Sequence, residues 1–173
     1  MKFLLIQLRR IGDVLMTTPA IRHLRKSYPD ADLTFLTESP SDQVLNENPN
    51  LQEILLYRKP DSIKESLRYF LNLRSRKFDC VIDFYGNPRS ALISLFSGAP
   101  MRIGFDFRGR SLAYTHPVKI SGKVTYSAAD KAQLLRPLGI SASDFKLDFF
   151  PEEKDKFLPK ISSENLVLKK TIL

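Results

Sequence analysis

The chain alternates between two hydrophobic periods. KFLLIQL (2–8) is apolar throughout but for one polar break, the pattern of a strand buried on both faces. Residues 13–28 then place Val14, Thr18, Ile21, Leu24 and Tyr28 at helical spacing. Pro19 directly after Thr18 is the arrangement of an N-cap followed by a first-turn proline, so this helix starts or restarts at Thr18. ADLTFLT (31–37), LQEILLY (51–57, after the turn-rich NENPN) and FDCVIDFY (78–85) read as further strands. Between the last two, residues 62–76 hold Ile63, Leu67, Phe70, Leu71 and Arg74 on one helical stripe, with basic residues opposite.

A helix is predicted over NPRSALISLFSGA (87–99). Asn87 is placed to cap it, Pro88 suits its first position and Gly98 its end. MRIGF (101–105) is a short fifth strand, THPVKI (115–120) a candidate sixth, and AADKAQLLRPLGI (128–140) a helix ending at Pro137–Gly139. FKLDFFP (145–151) reads as a final strand or an extended exit. Strands and helices alternating at this spacing predict an α/β domain: a Rossmann-like parallel sheet with helices on both faces. The expected division is a domain over residues 1–150 and a charged linker or stub over 151–173.

Composition narrows the function classes. With 173 residues and 43% hydrophobic content the chain can bury a real core. No apolar run approaches the roughly 18–20 residues of a membrane span, and Phe3–Leu8 is too short for a signal-peptide core. The expectation is a cytoplasmic protein, free or peripheral to the inner membrane. One cysteine, Cys80, permits no internal disulfide and reads as a small buried hydrophobe. One Cys and two His leave no zinc cluster. The net charge of +8 favours anionic partners. Nucleic acid is not expected among them, because the arginines follow strand ends and do not line one helix face.

In open α/β sheets ligands bind beyond the carboxyl ends of the strands. The loops there contain RRIGD, ESPSD, RKPDS, GNPRS and DFRGR, and four of the five hold a lysine or arginine. Such an edge suits a phosphorylated or carboxylated ligand. In the first loop Gly12 either lets backbone approach a ligand or takes positive φ. Two readings of Asp13 stand. It is a helix cap or first-turn acid favoured by the dipole, or it is a general base facing the cleft, kept ionised by Arg9 and Arg10. A single glycine after the first strand does not make a dinucleotide fingerprint, and no P-loop is present. DAD (30–32) lies before the second strand, at the opposite edge, and reads as a turn.

IGDVLMTTPAIRHLRKSYPDADLTFLT, FDCVIDFYGNPRSALISLFSGAPMRIGFD and DKAQLLRPLGI together resemble glycosyltransferase family 9, the ADP-heptose:lipopolysaccharide heptosyltransferases and their relatives. The GD helix and the D-x-x-G-x-x-R-S-A segment carry the likeness in combination, over residues 1 to about 150. The resemblance implies the N-terminal, acceptor-binding half of a GT-B fold. It implies an inverting transfer of a heptose-type sugar from a nucleotide sugar such as ADP-heptose to the lipopolysaccharide inner core. Asp13 would be the general base; Arg9, Arg10, Gly12, Asn87 and Arg89 would bind the acceptor. No metal and no cofactor are expected, and the donor would bind a second domain that this chain lacks, which makes activity of the chain alone doubtful. The competing reading is a non-catalytic module for acidic glycans or lipid head groups.

Overall fold

The computed structural model describes residues 1–107, 109–119 and 126–151. Six strands form one sheet: β1 (Lys2–Ile6), β2 (Asp32–Thr37), β3 (Glu53–Leu56), β4 (Cys80–Asp83), β5 (Met101–Phe105) and β6 (His116–Val118). Their order is β3-β2-β1-β4-β5-β6, and every neighbouring pair is parallel. The helices are α1 (Ile11–Leu15), α2 (Thr18–Ser27), α3 (Ile63–Ser75), α4 (Pro88–Phe96) and α5 (Ser127–Ala132); a 3₁₀ segment, Gln133–Leu138, continues α5 to Gly139.

Side chains alternate across the sheet, so each strand feeds two cores. Phe3 and Leu5 join Ile21 and Leu24 of α2 and the Leu134–Leu135 pair on one face. Leu4 and Ile6 join Leu73 of α3 and Ile93 of α4 on the other. Helices therefore cover both faces, as the continuous apolar runs require. Cys80 is buried and its thiol is pushed up to about 12 by desolvation, the behaviour of a packing residue.

One local expectation is corrected and two are narrowed. The helix does restart at Thr18, but Thr17 is the N-cap and caps with no side-chain bond; the Thr18 hydroxyl instead donates to the Leu15 carbonyl at 2.8 Å. FKLDFFP forms no strand. It is an extended exit pinned to α2, where Arg22 grips Asp144 and Asp148 and the Thr18 hydroxyl accepts from the Asp148 amide at 2.9 Å. The stripe on α3 is helical as predicted, yet only Leu73 of that helix is buried. The predicted linker, residues 152–173, lies outside the described residues, as do residues 120–125, which include the last position of the THPVKI segment.

Candidate active site

The strand order reverses between β1 and β4, so the crevice beyond their carboxyl ends is the switch point where ligands bind in such sheets. The RRIGD and GNPRS loops flank it. The residues of D-x-x-G-x-x-R-S-A have separable jobs there. Asp83, fully buried at the end of β4, accepts from the amides of Tyr85 and Gly86, each at 3.0 Å, and from the Tyr114 hydroxyl at 2.7 Å. Gly86 takes φ +62, where a side chain would be strained, and a Cβ would stand 3.0 Å from the Phe107 ring. Ser90 and Asn87 close a reciprocal capping box at the start of α4. The aspartate thus shapes the loop, and burial pushes its carboxyl above the ordinary range.

Asp13 does not cap its helix, since Arg10 occupies the capping position and makes no side-chain cap bond, but it stands in the first turn of α1, as its first-turn-acid reading has it. Among the described residues its half-buried carboxylate makes no hydrogen bond and no ion pair. A charge coupled to it comes from α5: Asp13 acts on the ammonium of Lys131. Lys131 projects from α5 into the protein with only 6% of its surface exposed. Its ammonium donates to Gln7 Oε1 at 2.7 Å and to the Phe84 carbonyl at 3.3 Å, one acceptor on each side of the crevice. Burial lowers its pKa to about 8, against the opposing pull of Asp13 and Asp83. A lysine has three protons to donate, and two are accounted for.

The arginines divide. Arg9 Nε is 2.8 Å from Glu38 Oε2, and Arg89 Nη1 is 3.1 Å from Glu38 Oε1. The guanidinium of Arg89 also lies 5.7 Å from the centre of the Tyr57 ring. Glu38 comes directly after β2 and Tyr57 directly after β3, so four strand ends meet here. An exposed ion pair of this kind is worth about 0–1 kcal/mol, so an incoming anion can take Arg9 from Glu38 at little cost. Arg10 is exposed and has no partner among the described residues; it adopts φ +67, which swings the chain into α1. Gly12 does not have positive φ, and a Cβ there would meet nothing within 4 Å, so open space stands over it.

The structure therefore brings Arg9, Arg10, Gly12, Asp13 and Arg89 to one crevice. Asn87 is at the same edge, but its Oδ1 accepts from the Ser90 amide at 2.7 Å and is spent on the cap. The sequence reading missed Lys131, Gln7 and Glu38. Lys131 carried a signal: it shares the buried helical positions of Ala128, Ala132 and Leu135, where a lone lysine is unexpected. A hollow beside α5, lined by Ala129, Gln133, Arg136 and Phe145, lies away from these residues.

The model of glycosyltransferase family 9 (heptosyltransferase) matches residues 66–149. The chain belongs to this family. Lipopolysaccharide heptosyltransferase 3 of Escherichia coli K12 is 30% identical over 151 residues, covering 82% of this chain and 43% of that protein. A second lipopolysaccharide heptosyltransferase 3 of Escherichia coli is 28% identical over 141 residues, or 76% and 41%. This family 9 chain thus spans about two fifths of the length of these relatives. Among solved structures, the family 9 glycosyl transferase of Veillonella parvula superposes with a TM-score of 0.75 at 24% identity, covering 88% of this chain and 45% of that one. E. coli ADP-heptose lipopolysaccharide heptosyltransferase II gives 0.76 at 21%, covering 90% and 48%. These likenesses show that the sheet is the family's fold.

Proposed function

We propose that residues 1–150 form the acceptor-binding part of an inverting heptosyl-type transferase, with Asp13 as its general base. The observation that carries this reading is a carboxylate that makes no hydrogen bond or ion pair among the described residues, at the switch crevice and in electrostatic reach of a buried ammonium. Its relatives are named for heptosyl transfer to lipopolysaccharide. The acceptor would be an inner-core saccharide bearing acidic groups, met by Arg9, Arg10 and Arg89. A nucleotide sugar such as ADP-heptose would be held by a separate donor-binding domain.

In the step itself an acceptor hydroxyl passes its proton to the Asp13 carboxylate. The oxygen's electron pair forms the new bond to the anomeric carbon as the bond to the diphosphate breaks on the far side, which inverts that carbon. A base must stay ionised and within reach of the proton. Lys131 supplies the fixed positive charge beneath it, and Gln7 and the Phe84 carbonyl keep that ammonium in place. Neither metal nor cofactor enters this scheme.

Calorimetric titration of the 173-residue chain tests the division of labour. A phosphorylated inner-core saccharide is expected to bind and ADP is not. Lys131 is charged below about pH 8 and loses its proton above it, so acceptor affinity should fall severalfold between neutral pH and pH about 9. The Lys131→Met variant should be weaker at neutral pH and lack this dependence. Binding of ADP in place of the saccharide would contradict the proposal.

A further inference from the structure

The apolar stripe of α3 is a surface. Ile63, Leu67 and Leu71 repeat at four-residue intervals and are 90%, 59% and 58% exposed. The stripe does not stop at the helix edge. Phe70 packs on Phe96 of α4 with ring centroids 4.7 Å apart, and Leu92, Leu95 and Phe96 of α4 are themselves exposed. The exposed apolar stripe of α3 therefore meets α4 at Phe96.

That face is set in positive charge. Residues 58–77 contain seven lysines and arginines (Arg58, Lys59, Lys64, Arg68, Arg74, Arg76, Lys77) against Asp61 and Glu65. Among the described residues only Arg76 of the seven is tied to a carboxylate, that of Glu53. Arg58, Lys59 and Arg68 line a basin beside Tyr69 at the start of α3. More than half of the chain's net charge of +8 is thus carried by one short segment.

We propose that the α3 face, continued by α4, rests on an anionic lipid surface, with Leu67 and Leu71 entering the acyl boundary and the basic residues meeting the headgroups. An amphipathic helix with leucines on one side and Lys and Arg on the other is built for that boundary. A second copy is disfavoured as the occupant, because facing two such segments sets like charges together. The chain beyond Pro151 is disfavoured as well: the described chain ends there on the α2 side, beneath Arg22 and Thr18, on the opposite face of the sheet. The site gains by this orientation. α3 begins just past the carboxyl end of β3, so the lipid-facing edge adjoins the crevice where a lipid-anchored acceptor would enter.

The test is flotation of the 173-residue chain with vesicles of phosphatidylcholine alone and with vesicles that also contain phosphatidylglycerol. Binding is expected only to the second, and it should weaken with salt. Each basic residue at such a surface contributes about a fivefold gain, so Lys64→Glu with Arg68→Glu should abolish binding. Leu67→Ser with Leu71→Ser should weaken it by about tenfold or more; both side chains are exposed, so the fold is retained. Sedimentation velocity accompanies the flotation. No binding to phosphatidylglycerol vesicles overturns the proposal, as does binding untouched by the leucine variant. A dimer that this variant converts to monomer also overturns it, since the face would then join two copies. The vesicles carry no saccharide, so the result is independent of the acceptor assignment.

Discussion

In a two-domain context that supplies a donor-binding half, Asp13→Ala is expected to lower kcat by about a thousandfold and to leave the fold untouched. The contacts explain why the fold survives. The Asp13 carboxylate caps nothing and pairs with nothing among the described residues, so its loss removes no structural bond. Its loss also removes a nearby negative charge that favours the buried Lys131 ammonium, so Lys131 gives up its proton more readily in the variant. A positioned general base contributes about 10²–10⁴ in rate, and the carboxylates beside it are engaged: Glu38 is held by two arginines and Asp83 by two amides and a hydroxyl. Rate constants and a thermal melt on the same preparation decide it. Turnover retained within about tenfold would remove Asp13 from the chemistry; a collapsed melt would make it a structural residue after all.

Gly104→Ala is expected to destabilise the chain by about 3–5 kcal/mol in urea unfolding. Gly104 lies in β5 beneath the Tyr114 ring, and a Cβ there would stand 2.3, 2.4 and 2.6 Å from three of the ring's carbons. The contact is with the hydroxyl-bearing end of the ring, which is itself buried and tied to Asp83, so it cannot swing aside freely. Displacing Tyr114 also takes its hydroxyl from Asp83, 2.7 Å away and fully buried. That leaves a buried carboxylate with one oxygen unsatisfied, an arrangement costing more than the bond is worth. Tyr114→Phe separates the two effects. It keeps the ring, loses the hydroxyl and should cost about 1–3 kcal/mol. A Gly104→Ala penalty below about 1 kcal/mol would mean that the ring can move, and that Asp83 does not depend on it.

The two variants bear on legibility. The strands, their alternation with helices and the strand-end loops could be read from apolar runs and turn residues, because burial on both faces leaves a pattern in the sequence itself. The restart of the helix at Thr18 was legible from Pro19, although the cap falls one residue earlier, at Thr17. Pairings across the sheet were not legible. Nothing local to RRIGD says that Arg9 turns to Glu38, 29 residues away, or that the charge beside Asp13 comes from Lys131. The periodicity of 62–76 gave the helix and its stripe, but a period says only which residues share a face. Whether that face finds a core is decided by the neighbouring helix, and here it does not. Asp83 shows the reverse case: a residue that marks the family segment proves to hold the loop from below.

The proposed function requires that an acidic acceptor enter the crevice between β1 and β4. Amide chemical shifts of the isotope-labelled 173-residue chain, recorded while a phosphorylated inner-core saccharide is added, test this most directly. Saturable shifts are predicted at Arg10, Gly12, Asp13 and Gly86, accompanied by a change at the Lys131 side chain. Shifts confined to the hollow beside α5 or to the face of α3, with the RRIGD loop silent, would contradict it.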